Sequence, residues 1–239
     1  MLLLLAIWIT FRACLVPRIA MFLWALLIAH FLDGVGLARI CIDKHTGRLH
    51  VERMNSTILG NLGGYDMLFD PEEPRFGAFS VLLEDGFIYL YGTYKKNTLL
   101  ARVPMDYPHA RTKYQFWNGV EYVENIFSSK PVMYGMQQGA VFKSSLFGKD
   151  KPWVTVGCTC WRDSLVMVGA AGSLEGPWEF IPVTTAKAII EYQSPLYCIY
   201  PHTWLFDEEK GELAVSWSEV WPGNVIMAKL KFAMRESAH

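Results

Sequence analysis

The sequence predicts an all-β protein preceded by a hydrophobic N-terminal segment, and three observations carry the prediction. Beyond residue 34, short runs of apolar, aromatic and β-branched residues alternate with Gly, Pro, Asn and Asp, the pattern of strands separated by tight turns. No stretch past residue 33 carries the 3.6-residue apolar period of an amphipathic helix through that punctuation. The chain also repeats itself at an interval of about 62 residues.

The N-terminal segment, residues 1–33, comes first. Of residues 1–32, 27 are apolar, and the only charges are Arg12 and Arg18. Residues 1–11 and 19–32 are uncharged, but each run is shorter than the roughly 18–20 residues that span a bilayer. Residues 19–32 resemble the apolar core of a signal peptide with Arg12 and Arg18 as its positive flank. No small-x-small cleavage site follows, since the run ends Ala29-His30-Phe31-Leu32. Three readings stay open: a signal peptide, a signal-anchor, or a misassigned segment fused to a truncated domain. The first two imply a protein secreted or membrane-anchored in the secretory pathway, with residues 1–32 as the point of attachment. Asn55-Ser56-Thr57 fits a glycosylation sequon, which makes Asn55 the candidate acceptor.

This segment accounts for the chain's high apolar content. Over 239 residues the hydrophobic fraction is 52% and the mean hydropathy +0.18; without residues 1–32 the fraction falls to about 47%, an ordinary globular value. Net charge is −1 overall and −3 without the segment, from 20 basic and 23 acidic residues. No basic stripe is available to neutralise phosphates, which argues against a nucleic-acid partner. An aromatic content of 14%, with nine Trp, excludes a disordered chain. The five cysteines (14, 41, 158, 160 and 198) are odd in number. Cys158-Thr159-Cys160 spaces two thiols onto one face of a strand, and they read as small buried hydrophobes.

The repeat organises residues 34–239. Predicted strands include residues 78–83, 87–94, 152–161 and 213–217. Phe76-Gly77-Ala78-Phe79 aligns with Gln138-Gly139-Ala140-Val141 at an offset of 62, and Tyr200-Pro201-His202-Thr203 lies 62 further on. Leu37-Ala38-Arg39-Ile40 recurs 63 residues later as Leu100-Ala101-Arg102-Val103, and 127 beyond that as Met227-Ala228-Lys229-Leu230, with residues 165–171 in the intervening slot. Trp117 and Trp178 follow that strand in successive units. About four strands per unit at an even period is the signature of a β-propeller. Residues 77–125 and 139–185 each supply a blade, 200–232 about three strands, and 35–54 two outer strands, roughly three and a half blades in all. A ring of five would need another blade and a half, where the hydrophobic segment now sits.

Several stretches resemble a β-propeller family catalogued as domain of unknown function 4185. They are Phe69-Asp70-Pro71-Glu72-Glu73-Pro74-Arg75-Phe76-Gly77, Tyr89-Leu90-Tyr91-Gly92, Leu100-Ala101-Arg102-Val103-Pro104, Tyr114-Gln115-Phe116-Trp117-Asn118-Gly119, Leu174-Glu175-Gly176-Pro177-Trp178 and Tyr200-Pro201-His202. The resemblance covers residues 35–233 and rests on the order and spacing of these motifs together. It implies a five-bladed propeller related in architecture to arabinan- and fructan-cleaving hydrolases, some members being endo-D-arabinanases. It also implies catalytic carboxylates around a central channel, one of them from the first blade, which this chain lacks.

In a propeller the first strand of each blade lines the axis. The residues entering those strands are Glu73, Arg75 and Phe76, then Gln137 and Gln138, then Tyr200 and His202. Together they offer the donors and acceptors that sugar hydroxyls need. Trp161, Trp217 and Trp221 end strands and can stack on sugar faces or pack between blades. Glycoside hydrolysis requires one protonated and one ionised carboxyl group. Glu73 and Glu219 are the first candidates, the latter flanked by Trp217 and Trp221, with Asp70 a third. The competing role for each is a turn cap or a salt bridge with Arg75 or Arg162. The six His show no paired metal-ligand spacing, residues 60–64 lack the Lys-Ser/Thr of a phosphate loop, and no G-x-S-x-G occurs. Neither a metal nor a cofactor is expected. The expectation is a carbohydrate-active propeller, glycoside hydrolase-like and acting on arabinan-type or other furanoside polysaccharides. The alternatives are a non-catalytic glycan-binding propeller and an inactive truncated product.

Overall fold

Alternating side chains and Gly-rich turns build antiparallel strands throughout the computed structural model, which describes residues 19–22, 34–43, 45–54, 67–136, 138–159, 165–186, 196–219 and 224–232. Among these residues the only helical pieces are two short 3₁₀ turns, Arg111–Lys113 and Ile126–Ser128. No helix of the described residues is long and apolar enough to cross a membrane.

The strands fall into sheets that follow chain order. The first is β1 (Ile19–Phe22), β2 (Gly36–Ile42) and β3 (Leu49–Met54), with β2 in the middle. The second runs β4 (Arg75–Glu84), β5 (Phe87–Tyr94), β6 (Asn97–Pro104), β7 (Gln115–Trp117) and β8 (Tyr122–Val123). After β9 (Pro131–Tyr134), a four-stranded sheet comprises β10 (Gln138–Lys143), β11 (Trp153–Cys158), β12 (Leu165–Ala171) and β13 (Glu179–Thr185). The last is β14 (Leu196–Asp207), β15 (Glu212–Glu219) and β16 (Val225–Lys231). The predicted all-β class is therefore observed, as meanders of sequence neighbours. The chain divides into two compact units, residues 1–94 with 99–130, and residues 95–98 with 131–239.

The 62-residue repeat has a structural meaning within these sheets. The first repeated motif starts β4 and β10 and recurs inside β14. The Leu-Ala-Arg motif occupies β6 and its counterpart β16, each third in its sheet, and also β2, which pairs onward with β3 as β6 does with β7. Gly77 and Gly139 both take positive φ, 92° and 155°, a region that L side chains avoid. Opposite that entry, Gly92 of β5 lies so close to β4 that an added Cβ would stand 2.5 Å from the Phe76 Cα. The tight β4–β5 hairpin turns through Asp85-Gly86, both at positive φ (49° and 78°), as a two-residue hairpin requires.

Each unit has its own core. In the first, Val35, Leu37, Phe69, Phe76, Leu90 and Phe116 pack together; Phe69 meets Phe76 at 5.3 Å, Tyr114 edge-on at 5.3 Å and Phe116 at 6.4 Å. In the second, Val154, Val156, Val168, Leu213, Val215 and Trp217 form the centre. Here the β10–β11 turn is tied to the β14–β15 turn: Ser145 donates its hydroxyl and, at 3.3 Å, its backbone N–H to the Glu208 carboxylate. Burial raises the pKa of Glu208, but its bonds from Ser145 and Ser144 outweigh that and leave it below the ordinary 4.5.

Candidate functional site

In the first unit, the Phe69–Arg75 motif folds into a turn that brings Glu73 back over Asp70. The Asp70 N–H donates to Glu73 Oε2 at 2.9 Å, and the Glu73 N–H donates to the Asp70 carbonyl at 3.0 Å. The other oxygen, Oε1, accepts from the Arg111 guanidinium at 2.8 Å. Both side chains are largely buried, at 13% and 16% exposure. Arg111 in turn lies over the rings of Phe69 (4.7 Å) and Phe116 (5.2 Å). The Tyr114 hydroxyl beneath donates to the Pro108 carbonyl at 2.6 Å, and burial pushes its pKa up despite nearby Arg111. Glu73 thus has both oxygens committed, and Asp70 contributes its backbone. The ion-pair partner is Arg111 rather than Arg75; it is 38 residues away in sequence and carries no local signal, and Arg162 lies outside the described residues. Arg75 opens β4, and burial lowers its pKa from the ordinary guanidinium range. Phe76 is fully buried in the core and presents no surface to a ligand.

In the second unit the residues of β14 alternate. Ile199 and Pro201 are buried, while Tyr200, His202 and Trp204 share the opposite face. Their rings touch in sequence: Tyr200 and His202 lie 5.7 Å apart and His202 and Trp204 4.8 Å apart, both edge-on. Exposure is partial at Tyr200 and His202 and reaches 52% at Trp204. Beneath the row, Ser216 of β15 is paired in register with Tyr200, and its hydroxyl lies 2.8 Å from His202 Nε2. The other ring nitrogen, Nδ1, is buried and has no hydrogen-bond partner among the described residues. Burial holds the His202 pKa below its ordinary 6.5, so the ring is neutral at pH 7, with one donor and one acceptor nitrogen. A Ser–His pair at this distance has nucleophile–base spacing. The carboxylate that would orient the other nitrogen in a triad is missing among the described residues.

The remaining candidates separate by placement. Gln138 begins β10, and its Oε1 accepts a long contact of 3.8 Å from the Cys158 thiol. Trp217, 7% exposed, packs in the second core and fills a packing position where no sugar face reaches. Glu219 ends β15, but its side chain is outside the described portion, as are Asn55, Gln137, Trp161 and Trp221 altogether. Among the described residues no three His, Cys, Asp or Glu side chains cluster as a metal site. Ser216 and Trp204 are the residues of this candidate site that motif reading missed. Trp204 had a signal, the two-residue spacing Tyr200-x-His202-x-Trp204; Ser216 had none, because its relation to His202 exists only across the hairpin.

No family model matches the chain, and no curated protein matches it. Its fold is similar to that of a solved structure described as a "putative hydrolase" from Bacteroides ovatus ATCC 8483, with a TM-score of 0.58 at 16% sequence identity. The match covers 84% of this chain and 50% of the other, so the chain spans about half the length of that protein. At this identity the likeness is one of fold.

Proposed function

We propose that this protein is a carbohydrate-active β-propeller protein that holds a furanoside polysaccharide, of the arabinan type, against the Tyr200–His202–Trp204 row. The observation that carries the reading is that row itself. It is a line of partly exposed rings interrupted by one imidazole, with Ser216 bonded to one imidazole nitrogen and the other nitrogen unpaired among the described residues. Aromatic faces take the C–H faces of sugars, and an imidazole between them supplies the hydrogen bond that fixes register. The succession of meander sheets at a 62-residue interval supports the propeller architecture and its relation to the family with five blades. Residues 1–32 supply the secretory-pathway targeting or membrane attachment that a polysaccharide ligand outside the cell demands.

Recognition without cleavage is the reading the geometry favours, because Glu73 has both oxygens engaged by Asp70 and Arg111. A hydrolytic reading draws on the fold shared with the Bacteroides protein and on Glu219 as the carboxylate beside the tryptophan pair. The experiment is a titration of the whole chain with arabino-oligosaccharides, alongside reducing-end release from arabinan. Saturable binding that His202→Ala and Trp204→Ala weaken, without release, supports recognition. Release that Glu219→Gln abolishes supports hydrolysis. Binding indifferent to both His202 and Trp204 refutes the site.

A further inference from the structure

The β4–β8 sheet uses its two faces differently. Ile88 and Leu90 of β5, Ala101 and Val103 of β6, and Phe116 of β7 enter the core. By the two-residue alternation of strands, Phe87, Tyr89, Arg102, Gln115 and Trp117 belong to the other face, and Tyr122 of β8, the register partner of Trp117, joins them. The rings form a continuous row there: Phe87–Tyr89 at 6.3 Å, Tyr89–Tyr122 at 6.4 Å and Tyr122–Trp117 at 5.2 Å.

Arg102 is seated in that row. Its Cζ lies 3.8 Å from the Tyr122 ring centroid and 4.6 Å from that of Phe87. Its Nε donates to Gln115 Oε1 at 2.9 Å, and Gln115 is its register partner across β6 and β7. Asn118 fixes the next turn by accepting from the N–H groups of Val120 and Glu121, both at 2.9 Å. The guanidinium is therefore held by two rings and one amide, and only one of its five N–H donors is used. No carboxylate of the described residues pairs with it, and its two terminal nitrogens have no partner among them. Phe87, Arg102, Gln115, Trp117 and Tyr122 are all partly exposed.

We propose that Arg102 is the receptor for the carboxylate of an acidic sugar residue, a uronate unit, with the flanking aromatic row taking the sugar ring. A guanidinium fixed in advance loses little freedom on binding, and its fork matches a planar carboxylate through two parallel hydrogen bonds. The neighbouring rings provide the apolar surface that a pyranose or furanose face needs. The matching positions of the repeat are Arg39 in β2 and Lys229 in β16, and Lys229 already pairs with Glu212 at 2.9 Å. The polysaccharide class rests on the preceding functional reading, but the residues are different, so the two can fail separately.

The test is calorimetric titration of the whole chain with oligogalacturonate, its methyl ester, a sulfated oligosaccharide and a neutral arabino-oligosaccharide. Oligogalacturonate is expected to bind at least 10-fold more tightly than its methyl ester. Arg102→Lys keeps the charge but loses the fork, and Gln115→Glu sets a carboxylate against the guanidinium and fills the site from within. Each is expected to weaken oligogalacturonate at least 10-fold while thermal unfolding and arabino-oligosaccharide binding stay as in the wild type. Equal affinity for the ester, equal or better affinity for the sulfated ligand, no oligogalacturonate binding, or unchanged binding by both variants overturns the proposal. The ester comparison needs no variant, so a folding failure leaves the test intact. His202→Ala is expected to lower arabino-oligosaccharide binding only, which separates this proposal from the preceding one.

Discussion

Replacing Glu73 by Gln distinguishes a carboxylate that holds the fold from one that performs chemistry. The substitution keeps the size and one acceptor oxygen, so the Asp70 N–H retains its bond. It removes the charge facing Arg111 and leaves a guanidinium, 16% exposed, lying over the Phe69 and Phe116 rings without its counter-ion. A hydrogen bond to a charged group contributes about 1.5–3 kcal/mol, and stranding one member of a fully buried pair costs about 3–5 kcal/mol. With both side chains still slightly open to water, a loss of about 2 kcal/mol follows, or about 4–8 °C in Tm for a domain of this size. Urea unfolding followed by Trp fluorescence reads it as a lower midpoint at unchanged m. Arg111→Met alone is destabilising too, but the double variant should recover at least about 1 kcal/mol of the summed losses, since the two residues share one interaction. Glu73→Gln within about 0.5 kcal/mol of the wild type would refute the structural role assigned to this pair.

Three further outcomes follow from the geometry. Gly92→Ala should cost more than about 3 kcal/mol, because its Cβ would stand 2.5 Å from Phe76 Cα and 2.6 Å from its nitrogen; soluble expression with a wild-type urea midpoint would contradict the close approach of β4 and β5. Trp204→Ala, at a ring 52% exposed, should lower arabino-oligosaccharide affinity about 5- to 10-fold, in line with aromatic stacking of about 1–1.5 kcal/mol, and leave the melting temperature within about 1 °C. Because the folded pKa of His202 lies below its ordinary 6.5, the unfolded chain binds the extra proton first; this contribution to stability is complete above pH 6.5 and is lost as pH falls from there through the lowered value. Urea midpoints measured across that range should fall less steeply for His202→Gln than for the wild type, and parallel profiles would contradict the burial of this ring.

The strand grammar was legible because it is local. Phe76-Gly77-Ala78 and Gln138-Gly139-Ala140 match since both chain entries take a positive φ, which Gly adopts without strain. Leu99, Ala101 and Val103 recur at two-residue spacing because that face of β6 is core. Side-chain partnerships were legible only where they also obeyed a strand period, as Tyr200, His202 and Trp204 do. The Glu73–Arg111 bond joins a turn to a 3₁₀ segment 38 residues later, and neither partner's neighbours depend on the other. Trp217 next to Glu219 looked like a sugar platform, but strand parity sends its ring into the core with Val154 and Leu213. The Arg102 box draws on four strands and follows from pairing register that the sequence does not encode locally.

The bond between Ser145 and Glu208 joins residues 63 apart, one repeat length, so it links a turn of one repeat to the same turn of the next. Contacts of this kind make folding a matter of nearest neighbours, in which each sheet is stabilised by its own hairpins and by the sheet beside it. Amide hydrogen exchange in the second unit should therefore slow in blocks, with the β10–β13 and β14–β16 amides opening together while the contact stands. Severing it with Glu208→Ala should split that block in two, so that the three-stranded β14–β16 sheet exchanges first and β11, a central strand buried along its whole length, exchanges last.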